Sequence, residues 1–213
     1  METVLVAGAN GLTGREIIAI LKESTIYTPL AMIRKEEQKE YFEKMGVKTI
    51  VADLEGDLQY AVKAADRIIF AAGSGGHTPP QKTIDVDQNG AISLIKTAEA
   101  AGISKFVMLS SLGTDTPLKG QEKIQHYLEA KKIADDYLKG SSLRYTIVRP
   151  GYLTNKDSTG KIKAQAEGLE RGEISRKDVA QVLVDALADN IAPDQAVEII
   201  AGETKIPEAL KGI

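Results

Sequence analysis

Short runs of apolar, often β-branched residues alternate along the chain with segments in which apolar residues recur at helical spacing. The apolar runs predict strands at residues 3–7, 28–33, 47–51, 67–72, 104–109, 143–149 and 196–200. The helical spacing predicts helices at residues 13–23, 36–45, 57–64, 83–101, 122–139 and 176–189. This alternation is typical of a doubly wound parallel sheet with helices on both faces, so the predicted fold class is α/β.

No internal repeat, low-complexity segment or linker interrupts the alternation, so we expect a single domain over residues 1–213. The loosest stretch, residues 151–172, is rich in Gly, Lys, Thr and Asn and predicts a small C-terminal extension on the substrate side. Ligands of such sheets bind outside the carboxyl ends of the strands. We therefore expect the substrate-side loops at residues 74–82, 112–122 and 151–175.

Composition narrows the classes of partner. The 213 residues are 43% hydrophobic and carry a net charge of -3, which suits a domain with a full core. There is no basic excess to favour nucleic acid, and no apolar run approaches the roughly 20 residues of a membrane-spanning helix. A small-molecule substrate is the expected partner, and oligomeric state has no signal in the sequence. Because Met1 leads almost directly into the first predicted strand, we expect no signal peptide and a cytoplasmic protein.

The chain contains no cysteine and two histidines, His77 and His126. This composition excludes disulfides, thiol nucleophiles, thiolate metal ligands and a three-histidine zinc site. Carboxylates remain as ligands for a divalent ion, but no motif arranges them. We therefore expect no metal site.

The first predicted strand ends in a glycine-rich turn. From Val4 to Gly14 the sequence reads VLVAGANGLTG, in which the glycines are spaced as GxxGxxG before an amphipathic helix. Such a turn directs the free N–H groups and the positive dipole end of the helix at a pyrophosphate. Gly8 would permit the tight turn, Gly11 the approach of the phosphates and Gly14 the packing of helix on strand. The motif predicts a Rossmann-type dinucleotide site with cofactor contacts from Gly8, Asn10, Gly11, Leu12, Thr13 and Gly14.

The residue about 20 positions after the last glycine separates NAD sites from NADP sites. Arg34 and Lys35 stand where an NAD site usually offers Asp or Glu. Two cations suit a 2′-phosphate, so NADP(H) is favoured and NAD(H) is the alternative cofactor. Glu36 and Glu37 follow directly, and the start of a solvated helix at Arg34 is the competing interpretation.

Two further strand ends are predicted to meet the cofactor. Asp53 and Leu54 follow the third strand and would lie at the adenine edge, although Asp53 also fits a helix N-cap. Ala71, Ala72 and Gly73 begin a second glycine-rich loop, AAGSGG, that would approach the middle of the cofactor. A plain connecting loop is the alternative.

Tyr127 and Lys131 are four residues apart in a predicted helix and so share one face, where such a pair can do acid–base chemistry. Tyr152 and Lys156 repeat the spacing. At about 100° per residue, only Lys131 lies near the centre of an apolar stripe. Ribose hydroxyls would satisfy a lysine in that position; the alternatives are that it reaches the surface or pairs with Asp135. The stripe consists of Ile124, Tyr127, Leu128, Lys131, Ala134 and Leu138.

Three more segments accompany these motifs: KFVMLSS at 105–111, TIVRPG at 146–151 and SRKDVA at 175–180. Together with both glycine-rich loops and the Tyr127–Lys131 pair, they resemble the atypical short-chain dehydrogenases/reductases, in the NAD(P)-binding, NmrA-like group of small bacterial proteins. The resemblance covers nearly the whole chain, and the motifs in combination are far more specific than any one of them.

The resemblance implies roles for particular residues. The serine that ends the fifth strand, Ser111 with Ser110 as its rival, would hold the substrate oxygen while Tyr127 donates a proton. Lys131 would bind the nicotinamide ribose and lower the pKa of Tyr127. A serine pair that only caps its own strand end is the simpler alternative.

Pro150 and Gly151 would form the turn beside the nicotinamide, which would leave the following loop to cover the substrate. The chain departs from the family pattern at Asp87, three residues before Gly90, where many members have Asn. This difference argues against an Asn-supported proton relay.

The resemblance thus implies an NADP(H)-dependent reductase that transfers a hydride to a small carbonyl or quinone-like substrate. An NADP(H)-binding, redox-sensing regulator without catalysis is the alternative, because atypical members sometimes bind the cofactor without turnover. A sugar-nucleotide epimerase or dehydratase is less expected, since the short C-terminal portion leaves little room for a substrate lobe.

Overall fold

The computed structural model describes residues 1–75 and 78–213. The strands are β1 (Glu2–Ala7), β2 (Tyr27–Ile33), β3 (Lys48–Val51), β4 (Arg67–Phe70), β5 (Lys105–Leu109), β6 (Tyr145–Pro150), β7 (Tyr152–Thr154), β8 (Lys161–Gln165), β9 (Glu173–Ser175), β10 (Gln195–Ala201) and β11 (Thr204–Lys205). The helices are α1 (Leu12–Lys22), α2 (Lys39–Glu43), α3 (Gln59–Val62), α4 (Pro80–Thr83), α5 (Ala91–Ala101), α6 (Glu122–Lys139), α7 (Arg176–Asp185) and α8 (Ile206–Ala209).

One large sheet has the strand order β11-β8-β10-β6-β5-β4-β1-β2-β3. All pairs from β10 to β3 are parallel, whereas β8 runs antiparallel to both β10 and β11. A separate parallel pair, β7 with β9, follows the carboxyl end of β6. The predicted doubly wound α/β fold is therefore confirmed, and β7, β8 and β9 lie in the predicted substrate-side extension.

The burial of β1 shows how the sheet separates two cores. Val4 and Val6 pack in the cluster that contains the buried faces of α1 and α7. Leu5 and Ala7 belong to the opposite cluster, together with α3, α5 and the second half of α6. Because both faces of the strand are covered, all four residues are 0% exposed, which explains the uninterrupted apolar run in the sequence.

Several predicted boundaries differ from the structure. The strand predicted at residues 67–72 ends at Phe70, and the helix predicted at 176–189 ends at Asp185. The helix predicted at 36–45 is a 3-10 turn (Glu36–Gln38) followed by the short α2. The helix predicted at 83–101 contains a π-helical segment, Ile84–Gly90, between α4 and α5. Such π-helical insertions are frequent at functional sites.

Four short strands, β7, β8, β9 and β11, are not predicted by the apolar runs in the sequence. They have two to five residues and mixed composition, and they form by pairing with distant segments rather than from an apolar run of their own. No helix in the described ranges is long and apolar enough to cross a membrane.

Candidate cofactor and active site

The turn after β1 has the close backbone packing of a dinucleotide phosphate site. Gly8 has a φ of +86°, and a Cβ at that position would lie 2.5 Å from the Ala72 nitrogen. A Cβ at Gly14 would collide with the carbonyl oxygen of Gly8. No side chain caps α1 at Gly11, so the N–H groups of its first turn remain available to a ligand. These features fit a bound nicotinamide dinucleotide at the N-terminus of α1.

The other predicted residues of this turn differ in exposure. Leu12 is 62% exposed at the start of α1, whereas Thr13 is buried. The side-chain oxygen of Asn10 accepts a hydrogen bond from Arg15 at 2.8 Å. Arg15 was not predicted as a site residue, although Arg15 directly follows the last glycine of the motif.

The end of β2 presents two cations to solvent. The Oε1 of Gln38 accepts the backbone N–H groups of Arg34 at 2.9 Å and Lys35 at 3.2 Å, which folds the 3-10 turn back on the strand. Both cationic side chains are exposed, and neither forms an ion pair among the described residues. Lys35 is the N-cap of the 3-10 turn Glu36–Gln38, which leads into α2, so the competing interpretation that these cations only begin a solvated helical segment also fits the structure.

After β3, the Oδ1 of Asp53 accepts the N–H of Glu55 at 3.1 Å and so forms a local turn. Asp57 accepts the N–H of Gln59 at the start of α3, so Asp53 does not cap that helix. Leu54 is 8% exposed and packs against Gly90 of the π-helical segment. A Cβ added at Gly90 would lie only 2.9 Å from the Cβ of Leu54. The side chain of Leu54 therefore supports the loop, whereas that of Asp53 is exposed.

The second glycine-rich loop is held in place by Asp87. The N–H of Ala71 continues the β1–β4 pairing by donating to the carbonyl of Ala7 at 2.8 Å. The N–H of Ser74 donates to the Oδ2 of Asp87 at 2.8 Å, and a Cβ at Gly73 would lie 3.1 Å from the Oδ1 of Asp87. These hydrogen bonds hold the loop from Ala71 to Ser74 in place, and its contact with the cofactor stays a prediction. Gly76, the last residue of this loop, and His77 both belong to the predicted substrate-side segment 74–82 and lie outside the described residues.

Ser110 and Ser111 at the end of β5 have different surroundings. Ser110 is 3% exposed, and its hydroxyl donates to the Oδ2 of Asp135 at 2.9 Å. Ser111 is half-buried; its hydroxyl donates to the carbonyl oxygen of Leu112 at 3.4 Å, and it lies close enough to Tyr127 to affect the pKa of that hydroxyl. The structure therefore brings together Ser111 and Tyr127 and directs Ser110 into the interior.

Burial raises the pKa of the Tyr127 hydroxyl well above its usual value, and the negative charge of Asp87 acts in the same direction. The nearby Ser111 hydroxyl opposes this shift. Lys131 is not among the groups that shift the pKa of Tyr127. The expectation that Lys131 lowers this pKa is thus wrong for the structure described, and Tyr127 is held in its protonated form.

Lys131 lies one turn after Tyr127 on α6 and is 2% exposed. Its Nζ donates to the carbonyl oxygen of Leu109 at 2.7 Å and lies 5.5 Å from the centre of the Phe70 ring. Neither alternative predicted for this lysine occurs, because the side chain does not reach the surface and does not form an ion pair with Asp135. The ammonium group is instead fixed at the carboxyl ends of β4 and β5.

A buried ionic network, which was not predicted from the sequence, contacts Ser110 through Asp135. Arg149, 2% exposed in β6, donates from Nε to the Oδ2 of Asp135 at 3.0 Å and pairs with Asp115 through Nη1. Asp135 is 0% exposed and also accepts from Thr114 at 3.4 Å. The network therefore ties the end of β5 and the loop at residues 112–122 to α6 and β6.

Pro150 and Gly151 end β6 beside this network. The carbonyl of Pro150 accepts the N–H of Leu112 at 2.9 Å, which fixes the backbone next to Ser111. A Cβ at Gly151 would collide with the carbonyl oxygen of Gly172, so only glycine fits where the two substrate-side segments meet.

The other repeat of the Tyr–Lys spacing does not form a site. Tyr152 lies in β7 with 77% exposure, and Lys156 pairs with Glu173. Because the two residues are not on a helix, the four-residue spacing does not place them on one face. The helical prediction correctly distinguished the two pairs.

The SRKDVA segment has a structural role around Asp178. Ser175 caps α7 by accepting the N–H of Asp178 at 3.0 Å. Burial alone would raise the pKa of Asp178, but hydrogen bonds from Ser158, Ser175, Gly160 and Thr159 hold it below its usual value. The motif thus anchors the start of β8. No group of three or more His, Asp or Glu residues within the described ranges is arranged to hold a metal ion.

The fold and this edge of the sheet define a nicotinamide-dinucleotide-binding protein of the Rossmann class. Residues 8–190 match the sequence profile of the NAD(P)H-binding family, and the chain belongs to that family. This assignment agrees with the resemblance to the atypical short-chain dehydrogenases/reductases. The chain accordingly has a domain for a nicotinamide cofactor.

Relatives of similar length support the assignment. The chain is 41% identical over 211 residues to a Bacillus subtilis protein named as the uncharacterized sugar epimerase YhfK, with 98% of each chain covered. A structure from Bacillus halodurans, named as an NAD-dependent epimerase/dehydratase, matches with 42% identity, 100% coverage of both chains and a TM-score of 0.94. The oxidoreductase YlbE of Lactococcus lactis matches with 29% identity over 99% of this chain and 96% of its own, at a TM-score of 0.87.

Proposed function

We propose that this protein is an NADP(H)-dependent reductase of the short-chain dehydrogenase/reductase type, acting on a small carbonyl or quinone-like substrate. The observation that carries the proposal is the contact between Ser111 and Tyr127 at the carboxyl edge of the sheet, with the buried Lys131 one turn away. The glycine-rich turn after β1 opens at the same edge, because parallel strands end on one side of a sheet.

The protonated state of Tyr127 favours carbonyl reduction over the epimerase activity for which relatives of this protein are named. Reduction of a carbonyl requires a proton donor, which the Tyr127 hydroxyl is in its protonated form, and its raised pKa disfavours the deprotonated form. An epimerase that works through an oxidised intermediate requires the same hydroxyl to accept a proton first. The short extension at residues 151–175 also offers little surface for a nucleotide sugar. A reductase therefore fits this site better than an epimerase.

In this proposal the Gly8–Gly14 turn and the first turn of α1 hold the pyrophosphate, and the fixed Ala71–Gly73 loop contacts the middle of the cofactor. Arg34 and Lys35 select NADP(H), since both present free cations where a 2′-phosphate would lie. Bound NADPH supplies the hydride for the reduction. Pro150 and Gly151 close the nicotinamide end.

The protein side chains then control the proton and the orientation of the substrate. Ser111 donates a hydrogen bond to the carbonyl oxygen, and Tyr127 transfers its proton to the oxygen as negative charge develops there. Lys131 contributes a fixed positive charge near that position. Asp87 holds the loop at Gly73 and Ser74, and its negative charge helps to raise the pKa of Tyr127.

The test is NADPH oxidation against a panel of quinones, aldehydes and ketones, with wild type, Tyr127→Phe and Tyr152→Phe. Removal of a general acid costs about 10²–10⁴-fold in turnover, so Tyr127→Phe should lose at least 100-fold. Tyr152→Phe, which removes the exposed tyrosine of the other Tyr–Lys pair, should keep the wild-type kcat. Tight NADPH binding with no turnover in wild type would overturn the proposal in favour of a cofactor-sensing regulator.

Cofactor selection has its own test. Arg34→Ala should reduce the ratio of NADP(H) to NAD(H) affinity, because it removes a cation from the proposed 2′-phosphate position. Lys44→Ala removes an exposed cation that is paired with Glu40 in a neighbouring turn and should leave the ratio unchanged. An unaltered ratio in Arg34→Ala would contradict the role of this residue.

A further inference from the structure

Arg15 is a half-buried cation in the first turn of α1, immediately after the glycine motif. Its Nη2 donates to the Oδ1 of Asn10 at 2.8 Å. Its Cζ lies 4.1 Å from the centre of the Tyr41 ring in α2, so the guanidinium stacks on the aromatic face. The side chain thereby joins the phosphate-binding turn to the segment that follows Arg34.

The charge of Arg15 is not neutralised by a carboxylate. No ion pair to Arg15 occurs within residues 1–75 and 78–213, and its Nε is buried without a hydrogen-bond partner. A buried donor without an acceptor destabilises the protein, and a cation removed from water requires compensation. An asparagine oxygen and an aromatic face compensate only in part. An anionic ligand would complete this environment.

The position of Arg15 indicates which anion. β1 and β2 are neighbours, with Ala7 opposite Met32, so Asn10 and Arg34 follow adjacent strand ends. The Arg15 side chain contacts both Asn10 and Tyr41 and so links the segment after β1 to the segment after β2. This is the side of the site where Arg34 and Lys35 are exposed and where the adenosine ribose of a dinucleotide lies.

The stack is fixed before any ligand binds. Tyr41 contacts Phe42 edge to face, with ring centres 5.0 Å apart and planes at 87°. Phe42 is 0% exposed and anchors α2 to the core, whereas Tyr41 is 38% exposed. A guanidinium on such a support loses little freedom when it binds a phosphate, and its planar fork matches two phosphate oxygens.

We propose that Arg15, supported by Tyr41 and oriented by Asn10, forms with Arg34 a clamp for a phosphate monoester, the 2′-phosphate of NADP(H). This inference rests on the proposed preference for NADP(H) and adds a specificity-determining residue from a different part of the chain. Arg34 provides an exposed cation, and Arg15 provides a cation that is already held by Asn10 and Tyr41.

The experiment is calorimetric binding of adenosine 2′,5′-bisphosphate and of 5′-AMP, which differ only in the 2′-phosphate. Arg15→Ala should weaken binding of the bisphosphate by about 10-fold or more, the usual loss for a hydrogen bond to a charged group, and should change 5′-AMP binding by less than about twofold. Tyr41→Leu should give a smaller loss in the same direction, and Tyr41→Phe should retain the wild-type preference. Lys22→Ala removes an exposed cation at the other end of α1 and is the matched control.

The outcomes separate this inference from the proposed function. If wild type prefers the bisphosphate and Arg15→Ala keeps that preference, the role of Arg15 is refuted while the NADP(H) preference stands. Equal weakening of both ligands would show that Arg15 only holds the glycine-rich turn, which also overturns the inference. If wild type binds both ligands equally, the NADP(H) preference itself fails. Arg15→Lys keeps the charge without the planar stack, and it should retain part of the preference and the wild-type thermal stability.

Discussion

Two buried arginines at opposite ends of the same sheet are paired in different ways. Arg67, at the amino end of β4, donates to Glu2 at 2.9 Å, to Asp189 at 2.8 Å and to the carbonyl of Leu187 at 2.6 Å. Both of its carboxylate partners are nearly half exposed, at 45% and 47%. Arg149, near the carboxyl end of β6, pairs with Asp115, which is 46% exposed, and with Asp135, which is 0% exposed.

The difference in burial of these carboxylates matches a difference in role between the two edges of the sheet. At the amino edge, solvated carboxylates join β1, β4 and the segment after α7, so the ion pairs serve stability alone. At the carboxyl edge, Asp135 is shared by Arg149, Ser110 and Thr114, and its Oδ1 has no partner among the described residues. The buried network fixes the strand end that carries Ser111. The fully buried carboxylate, which has the larger desolvation cost, thus lies at the edge of the sheet that carries the candidate catalytic side chains.

The largest expected effect comes from removing one carboxylate at each edge. Asp135→Ala should lower the free energy of unfolding by about 3–5 kcal/mol, because Arg149 would stay buried with the half-exposed Asp115 as its remaining carboxylate partner. Asp189→Ala should cost about 1 kcal/mol or less, because Asp189 is 47% exposed and Arg67 keeps Glu2 and the carbonyl of Leu187. Urea denaturation of both variants measures the difference.

Asp135→Asn serves as the isosteric control, since it removes the charge while it retains an acceptor for Ser110. It should fall between wild type and Asp135→Ala in stability. Equal destabilisation by Asp135→Ala and Asp189→Ala would show that the two edges are energetically alike and would remove the basis of the comparison.

A second difference between the edges is expected in their response to pH. Burial lowers the pKa of Lys105, at the amino end of β5, to about 8, against the attraction of Asp194. Between this value and the unfolded pKa of about 10.4, the unfolded chain binds more protons than the folded one. The folded state should therefore gain stability as pH rises through this window, by at most about 1.4 kcal/mol per pH unit.

Lys105→Met, which keeps the aliphatic volume, should remove this increase. Chemical denaturation of wild type and Lys105→Met at pH 7.5, 8.5 and 9.5 gives the comparison as a difference, so that other titrating groups cancel. A constant difference in stability between the two proteins across this range would contradict a shifted Lys105.

The smallest expected effect is an absence of titration at the carboxyl edge. Because the pKa of Tyr127 is raised, the acid form that donates the proton persists above pH 10, the usual pKa of tyrosine. The kcat for reduction by NADPH should change by less than about twofold between pH 8 and pH 10, provided that the protein is folded at both values. A kcat that falls with an apparent pKa below 9 would assign the proton donor to another group.

The fold followed closely from the sequence because the signals that define it are local. Strands covered on both faces produce uninterrupted apolar runs such as the one in β1, and helices produce periodic ones. The glycine motif was equally readable, since the backbone itself imposes a positive φ at Gly8 and leaves no room for a Cβ at Gly14. Helical periodicity also separated the Tyr127–Lys131 pair from Tyr152–Lys156.

The elements that escaped prediction depend on distant partners. β8 and β11 form because Ile162 lies opposite Ala201 and Thr204, and β7 forms through Glu173 to Ser175. No local pattern marks such short strands. The π-helical segment was missed for a similar reason, because Asp87 gains its place there from the N–H of Ser74 in another loop.

The sequence by itself determined the α/β class, the dinucleotide turn and the helix that carries Tyr127 and Lys131, because backbone sterics and side-chain periodicity act between near neighbours. Only the tertiary structure decided that Ser111 rather than Ser110 faces Tyr127 and that the pKa of this tyrosine is raised. It alone revealed the partners of Arg15. Burial and electrostatic environment are set by residues far apart in the chain, so they exist only once the sheet has brought its strand ends together.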